Sequence, residues 1–222
     1  MKSFLKKIAP QVLLDFNSFL YYKNDFSNFV KNKNLYENMR KWIEAGENAP
    51  APHIVKQKTI QRYQKEYNLD TLVETGTYMG DMIDAQLLFF DTLYTIELSE
   101  ELYQKAVRKF EGNQKVILKQ GDSGEVISEI LPNFSQPILF WLDGHFSAGK
   151  TAQGDLDTPI IEELRKIFST LVNHIILIDD ARCFIGANDY PSIDNLCKFV
   201  SQNAPHYQVE VGNDIIRLIP KK

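Results

Sequence analysis

The sequence predicts an α/β protein whose core is a parallel five-stranded sheet followed by an antiparallel hairpin. From about residue 70 to about residue 180, short apolar runs alternate with segments of helical periodicity. This alternation is typical of a parallel sheet that carries helices on both faces. Near the end of the chain, the apolar runs 207–211 and 215–219 are separated only by a Gly-Asn-Asp turn, which predicts a hairpin.

Each predicted strand is a short apolar run, and the segments between the strands carry apolar residues at helical spacing. Thr158 and Pro159 predict the start of the last helix, because threonine caps helix N-termini and proline is favoured at the first helical position. The predicted strands are 71–75, 93–97, 115–119, 137–142 and 174–179, and the predicted helices between them are 80–90, 99–110, 123–131 and 158–170.

Residues 1–60 predict a helical extension, and residues 61–222 predict the sheet domain. Residues 1–45 are rich in Phe, Tyr, Leu and Lys, and a Gly- and Pro-containing cluster at 46–52 predicts a linker. We interpret the extension as a helical cap on the sheet, because its aromatic residues would be a liability if they packed on nothing. Contact with a membrane surface through residues 1–30, and a homo-oligomer contact, are the alternatives.

Charge and composition argue against several classes of protein. The net charge is -4 at pH 7, so the whole chain gives no electrostatic indication of nucleic-acid binding. The 2 cysteines, Cys183 and Cys197, form no CxxC pair and fit no zinc-binding spacing. No apolar stretch is long enough to span a bilayer, and the basic N-terminus lacks the apolar core of a signal peptide. We therefore expect a cytoplasmic protein with reduced cysteines.

The most informative pattern joins the first two predicted strands. The first strand leads into Glu74, Gly76 and Gly80, and the second ends on Glu97 about 20 residues later. Glycine in the first turn lets the backbone approach a ligand closely. A carboxylate at the end of the second strand is suited to accept hydrogen bonds from two ribose hydroxyls. The spacing therefore predicts a nucleoside site, while the G-x-G-x-x-G pattern of dinucleotide sites is absent.

Carboxylates also follow the fourth and fifth predicted strands, where Asp143 ends one strand and the pair Asp179 and Asp180 ends the next. Ligand sites of open parallel sheets lie beyond the carboxyl ends of the strands, so we expect these three side chains to converge. Clustered carboxylates repel unless they are protonated or bind a cation, and oxygen-only ligands suit Mg²⁺, Ca²⁺ or Mn²⁺. A helix N-cap formed by the same pair is the structural alternative.

On these motifs, residues from about 70 to about 220 resemble the class I S-adenosylmethionine-dependent methyltransferases. The resemblance implies a Rossmann-like, seven-stranded sheet with five parallel strands and a reversed terminal hairpin. It also implies S-adenosylmethionine (SAM) as the cofactor, with Glu74 and Gly76 near its methionine part and Glu97 at its ribose. The cofactor-binding residues that it implies are Glu74, Gly76, Tyr78, Gly80, Glu97, Asp122 and Ser123.

Tyr78 departs from the family pattern, which has its middle glycine at this position. The departure implies a tighter or differently shaped loop, and we expect Tyr78 to cover the cofactor. Asp122 and Ser123 follow the third predicted strand and match the family position near adenine.

The three aspartates resemble the metal site of O-methyltransferases that act on sugars of macrolide and aminocoumarin natural products. The resemblance implies that Asp143, Asp179 and Asp180 hold a divalent cation, with Mg²⁺ expected, which lowers the pKa of the acceptor hydroxyl. His145 or Asp143 would take the proton. The predicted function is therefore SAM-dependent, metal-assisted O-methylation of a sugar, glycan or other polyhydroxylated small molecule.

A competing interpretation comes from Gly144 to Thr151, which fits the phosphate-binding pattern G-x-x-x-x-G-K-[ST] and follows a strand. In that motif a helix begins at the Lys-Thr, whereas residues 151–157 predict a loop. We therefore interpret 144–157 as a glycine-rich loop over the acceptor site, with Lys150 and Arg182 either at the substrate or in solvent. An ATP- or GTP-binding protein, and a non-catalytic binding protein with the methyltransferase fold, are the alternatives.

Overall fold

The computed structural model describes residues 37–144 and 158–221. By its contacts, the chain divides into two compact units, 1–48 and 49–222. The part of the predicted extension before residue 37 lies outside the described residues. No helix in either described range is both long and apolar enough to cross a membrane.

In the first unit, residues 37–44 form a helix that ends in a turn. The Trp42 indole donates a hydrogen bond to the Asn48 carbonyl at 2.6 Å. The Asn48 side-chain amide donates to the Ala45 carbonyl at 2.9 Å. These two bonds close the turn just before the boundary between the units.

The strands of the second unit are β1 (Thr71–Thr75), β2 (Thr92–Glu97), β3 (Val116–Gln120), β4 (Leu139–Leu142), β5 (Ile175–Ile178), β6 (Tyr207–Gly212) and β7 (Ile215–Pro220). They form a seven-stranded sheet in the order β3-β2-β1-β4-β5-β7-β6. β1 to β5 run parallel, and β7 pairs antiparallel with both β5 and β6. Because β1 pairs with both β2 and β4, the strand order reverses at β1 and β4, which is where open sheets of this kind bind ligands.

The helices of the second unit are α1 (His53–Tyr67), α2 (Asp81–Gln86), α3 (Glu100–Lys109), α4 (Ser123–Ile130), α5 (Ile160–Phe168) and α6 (Ile193–Asn203). α1, α2 and α3 pack on one face of the sheet, where Ile60 and Ile83 contact the same core as Leu72. α4, α5 and α6 pack on the other face, in the core that contains Val73 and Leu164. Neighbouring residues of β1 thus point to opposite layers, as the side-chain period of a strand requires.

The predicted fold class is confirmed, since the sheet has five parallel strands and a terminal antiparallel hairpin. The prediction lacks α6, although Ser192 caps this helix by accepting a hydrogen bond from the Asn195 amide at 3.2 Å. It also makes α2 too long, because this helix ends at Gln86. α5 starts one residue later than predicted, because Pro159 is its N-cap and Ile160 its first residue. The Thr158 hydroxyl accepts from the Ile160 amide at 3.4 Å.

The predicted boundary between residues 60 and 61 falls inside α1. Ile60 is 0% exposed and packs in the core of the sheet unit together with Tyr63. The contacts divide the chain between Asn48 and Ala49 instead, so all of α1 belongs to the sheet unit. The helix cannot be split from the domain because its buried face forms part of the domain core.

Candidate functional site

The candidate site lies at the carboxyl ends of β1, β2, β4 and β5, where these parallel strands end side by side. Thr75 of β1 pairs with Ile96 and Leu142, and Leu142 pairs in turn with Ile178. The residues that come next along the chain therefore meet at one edge of the sheet. They are Gly76, Glu97, Asp143 and Asp179.

Gly76 joins the turn after β1 to the loop after β4. Its φ is +85°, in the left-handed region that favours glycine. A Cβ atom at this position would lie 2.6 Å from the Asp143 carbonyl oxygen, so a side chain does not fit. The Gly76 amide also donates to the Ile96 carbonyl at 2.9 Å. The turn after β1 is thereby held against both neighbouring strands.

Glu97 is held from two sides by backbone donors. The Tyr78 amide donates to Oε2 at 2.8 Å, and the Ser99 amide donates to Oε1 at 2.9 Å. Tyr78 reaches this position with a φ of 47°, which is unusual for a residue other than glycine, and its side chain is 47% exposed. The observed contact of Tyr78 with the site is thus made by its backbone amide. The orientation of the Glu97 carboxylate is fixed by the loops after β1 and β2.

Glu74 lies deeper, on the face of the sheet that α1, α2 and α3 cover. It is 2% exposed, and the Thr95 hydroxyl donates to its Oε2 at 2.6 Å. Thr95 in turn shares a hydrogen bond of 2.6 Å with the Thr77 hydroxyl. Burial raises the pKa of Glu74 well above its ordinary value, against the opposing effect of the Thr95 hydrogen bond. Glu74 is therefore linked to the turn after β1 by the hydrogen bonds of Thr95 and Thr77.

Three other predicted cofactor residues have structural partners. A Cβ on Gly80 would lie 2.8 Å from the Phe110 ring, so this glycine lets α2 pack against the end of α3. Asp122 caps α4 by accepting a hydrogen bond from the Gly124 amide at 2.8 Å. The Ser123 hydroxyl donates to Glu163 Oε1 at 2.6 Å. The Ser123 hydroxyl is therefore engaged by α5.

Glu163 is a buried acid of α5 that belongs to none of the predicted sites. It is 1% exposed and lines a small open cleft together with Asp143, Gly144 and Asp179. Burial raises the pKa of Glu163 to about 7, and hydrogen bonds from Ser123 and Thr75 oppose this rise. The available signal was its spacing, because Glu163 interrupts the apolar face of an amphipathic helix.

The raised pKa of Glu163 predicts a pH-dependent stability. The folded protein holds this proton more tightly than the unfolded chain, so stability is lost as pH rises from about 4.5 to about 7. Relative to Glu163→Gln, the wild type should lose about 2 kcal/mol of unfolding free energy between pH 5 and pH 8. Urea unfolding of both proteins at the two pH values measures this difference. Glu162→Gln, at the exposed neighbouring position, should show no such trend.

The three predicted aspartates do converge. The Asp143 amide donates to the Thr75 carbonyl at 3.2 Å and the Asp179 amide donates to the Leu142 carbonyl at 3.0 Å, so the end of β4 is tied to β1 and the end of β5 is tied to β4. Asp179 and Asp180 are 4% and 5% exposed. The Asp180 amide donates to Asp179 Oδ1 at 2.7 Å. Burial, and the charges of Asp143 and Asp180, raise the pKa of Asp179.

Lys56 of α1 enters this cluster, although it belongs to no motif of the sequence. Its Nζ lies 2.5 Å from Asp179 Oδ2 and 3.0 Å from Asp180 Oδ1. Burial lowers the pKa of Lys56, but the adjacent carboxylates, Asp179 foremost, outweigh it and leave the pKa raised. Arg182 donates to the same Asp180 oxygen at 2.6 Å and also pairs with Asp214 in the turn between β6 and β7. The cluster is thus built from α1, β5 and the terminal hairpin.

These residues, as placed, do not fit a resident divalent cation. Both oxygens of Asp179 and Oδ1 of Asp180 already accept hydrogen bonds, two of them from Lys56. A cation bound to the same oxygens would have to displace the Lys56 ammonium. Within the described ranges, no group of three or more His, Cys, Asp or Glu side chains is arranged to hold a metal ion. The predicted His145 and Lys150 lie outside those ranges.

Comparison with known proteins identifies the fold. No family model matches the sequence, and no curated protein matches it significantly. Among solved structures, the chain is similar to an O-methyltransferase from Bacillus cereus in complex with SAH, with a TM-score of 0.55 and 15% identity over 83% of this chain and 90% of that one. It is also similar to a putative caffeoyl-CoA O-methyltransferase from Staphylococcus aureus, with a TM-score of 0.54 and 13% identity over 96% and 99%.

A third similar structure is the O-methyltransferase TomG from Streptomyces achromogenes, involved in Tomaymycin synthesis and solved in complex with SAM. Its TM-score is 0.53, with 12% identity over 85% of this chain and 89% of that one. At these identities the likeness concerns the fold alone. It agrees with the strand order and with the terminal hairpin described above.

Proposed function

We propose that this chain, which has the fold of class I SAM-dependent methyltransferases, transfers a methyl group from SAM to a hydroxyl oxygen of a small polyhydroxylated acceptor. The observation that carries the proposal is the placement of Glu97. Glu97 is 5% exposed, and each of its carboxylate oxygens accepts one backbone hydrogen bond. A carboxylate held in this way suits a ribose diol, because each oxygen keeps a lone pair for a hydroxyl donor.

The turn after β1 supports the same assignment. Gly76 brings this turn against the Asp143 backbone, so the cofactor and acceptor halves of the site adjoin without an intervening side chain. When bound, SAM supplies a methyl group on a positively charged sulfur, which an acceptor oxygen attacks in line. The carboxylate of Asp143 adds negative potential at this edge of the sheet, which suits a cationic group.

The acceptor is proposed to bind beside Asp143, next to the pocket between β4, β5 and α5. The pocket carries the carboxyl groups of Asp143, Glu163 and Asp179, together with the Phe184 and Tyr190 side chains. Carboxylates accept hydrogen bonds from hydroxyl groups, and aromatic rings cover the apolar faces of sugars, so a sugar or glycan is the acceptor class that we propose. Asp143 is the proposed proton acceptor.

Metal assistance stays a prediction from the resemblance. The resemblance implies Asp143, Asp179 and Asp180 as the ligands of a divalent cation, but hydrogen bonds already occupy both oxygens of Asp179 and one of Asp180. Because Lys56 already bridges two of these carboxylates, the reaction proposed here needs no metal ion in order to position the acceptor.

The proposed function predicts selective binding of SAM. Isothermal titration of the purified protein should give saturable binding of SAM and none of ATP with Mg²⁺. Incubation with SAM and a panel of sugars and glycans should then release S-adenosylhomocysteine, which mass spectrometry detects. Asp143→Ala should keep SAM binding and lose product formation, because Asp143 lies on the acceptor side of the Gly76 turn.

Each alternative function has its own signature in this experiment. Binding of ATP with Mg²⁺ in place of SAM would favour the phosphate-binding interpretation of residues 144–151, of which the structure describes only Gly144. Binding of SAM with no product from any acceptor would favour a non-catalytic protein. Full activity of Asp143→Ala would remove Asp143 from the mechanism and leave cofactor binding untouched.

A further inference from the structure

One lysine pairs with both of the buried aspartates that follow β5. Lys56 belongs to α1, and its Nζ lies 2.5 Å from Asp179 Oδ2 and 3.0 Å from Asp180 Oδ1. The Lys56 side chain is 14% exposed, so the contact is largely shielded from water. An ion pair in this environment is screened little by salt and holds a fixed geometry.

We infer that the Lys56 ammonium is the resident cation of this site, and that it makes the acceptor half of the site independent of divalent metal. This inference rests on the proposed function for its biological meaning. Lys56 is assigned as a positioning residue, which neutralises and orients Asp179 and Asp180. The sequence resemblance implies a metal ion at this place, whereas we assign the place to the ammonium group of Lys56.

The geometry makes the two cations mutually exclusive. Mg²⁺ binds carboxylate oxygens at about 2.1 Å and needs six ligands in near-octahedral arrangement. Lys56 Nζ already lies within hydrogen-bond distance of one oxygen of each aspartate. A metal ion on those two oxygens would have to share the same small volume and would repel the ammonium. Binding of a metal therefore requires Lys56 to leave a pairing that is formed without it.

The site is also held in place by groups other than a metal. Asp180 adopts a φ of 56°, in the left-handed region, and Arg182 also donates to its Oδ1 at 2.6 Å. Arg182 is itself anchored by Asp214, whose Oδ1 accepts from the Arg182 amide at 2.9 Å. On the other side, Ile60 anchors α1 in the core one helical turn after Lys56. Both halves of the ion pair are thus preorganised.

The ammonium has a further donor to offer. Lysine carries three N–H donors, and the two aspartates use two of them. Within the described residues, the third meets no acceptor. Since the cluster borders the pocket beside Asp143, this donor can be given to an oxygen of the acceptor. A polyhydroxylated acceptor would then be oriented by hydrogen bonds from a fixed lysine.

Metal binding by the purified protein tests this inference without any measurement of methyl transfer. The probe is Mn²⁺ alone, which favours the same oxygen ligands as Mg²⁺ and whose free form is counted by electron paramagnetic resonance. Wild type should show no saturable binding up to about 1 mM Mn²⁺. Lys56→Met keeps the aliphatic stem and removes the ammonium, so its Kd for Mn²⁺ should fall by at least about tenfold relative to wild type.

Matched variants make the result specific. Lys65→Met removes an equal charge from an exposed position of the same helix and should bind no more Mn²⁺ than wild type. Lys56→Arg keeps the charge and should also exclude Mn²⁺. Adding Asp179→Asn to Lys56→Met should abolish the gained binding. If Lys56→Met is poorly stable, Mn²⁺ should raise its melting temperature and leave that of wild type unchanged.

Two results would overturn the inference. Saturable Mn²⁺ binding by wild type at micromolar concentration would show that the metal displaces Lys56, whatever the variants do. Absence of Mn²⁺ binding in both wild type and folded Lys56→Met would show that the lysine is not what excludes the metal. Neither result bears on SAM binding, so the proposed function stands or fails separately.

Discussion

Glu97→Gln should weaken SAM binding by about 100-fold, which corresponds to about 3 kcal/mol. Glu97 is the carboxylate at the end of β2 whose oxygens accept from the Tyr78 and Ser99 amides at 2.8 Å and 2.9 Å. A glutamine of the same shape has only one acceptor oxygen. In either orientation, its NH₂ group faces one of the two backbone N–H groups. Both of these groups are donors, so the hydrogen bond at that position is lost.

The loss of SAM affinity should be large because the Glu97 carboxylate accepts hydrogen bonds both from the protein and, as proposed, from the cofactor. Towards the protein, an amide would leave one buried backbone donor without an acceptor. Towards the cofactor, it would offer a ribose hydroxyl a donor where the carboxylate offers an acceptor. Charged acceptors form the stronger hydrogen bonds, and two such bonds to ribose together carry roughly the expected free energy.

Titration calorimetry with SAM and with S-adenosylhomocysteine measures the effect, and thermal unfolding shows whether the variant is folded. Glu100→Gln, three positions along the chain, changes an exposed glutamate in the first turn of α3 and should leave both affinities unchanged. Equal affinities of wild type and Glu97→Gln would mean that Glu97 does not contact the cofactor. The SAM assignment would then lose the observation on which it chiefly rests.

The parts of the site that sequence reasoning found are those governed by the ends of parallel strands. Glu97, Asp143 and Asp179 each follow a buried apolar run, and parallel pairing places such ends at one edge whatever the details of packing. The two glycines after β1 were found for the same reason. The fold class follows from the same alternation of strands and helices, which is why it could be predicted before any site residue was placed.

Lys56 and Glu163 were missed because their role depends on how helices dock on the sheet. Lys56 lies four residues before the buried Ile60, and Glu163 lies three residues after the buried Ile160, so each interrupts an apolar helical face. That spacing indicates a charged side chain that is not simply solvated. It does not say which strand end the side chain meets, because sequence spacing leaves the rotation and height of the helix open.

Tyr78 shows a different limit. The sequence shows that a glycine of the family pattern is replaced by tyrosine, and the size of the ring led to the prediction that it covers the cofactor. The structure uses the amide, which reaches Glu97 only because Tyr78 takes up a φ of 47°. A backbone contact of this kind depends on the path of the loop and has no side-chain signature in the sequence.

Gly76→Ala should destabilise the protein by about 3 kcal/mol or more and weaken SAM binding at least roughly tenfold. Two separate costs add at this position. An alanine at a φ of +85° is strained by itself, by about 1 to 2 kcal/mol. In addition, its Cβ would lie 2.6 Å from the Asp143 carbonyl oxygen, and the two backbone segments must separate to admit it.

A second glycine separates these costs. Gly112 has a φ of +78°, close to that of Gly76, but a Cβ there would meet nothing within 4 Å. Gly112→Ala should therefore carry the strain of the left-handed backbone alone, about 1 to 2 kcal/mol, and leave SAM affinity unchanged. The difference between the two variants in urea unfolding measures the close approach of the turn after β1 to the loop after β4.

The coupling of stability to affinity is the decisive part of this comparison. If the turn must lie against Asp143 for the Tyr78 amide to reach Glu97, then displacing Gly76 should weaken SAM binding although Gly76 carries no side chain. A Gly76→Ala protein that is less stable yet binds SAM normally would show that the approach serves only the fold. A protein that loses both would show that the contact between β1 and β4 holds the ribose carboxylate in its binding position.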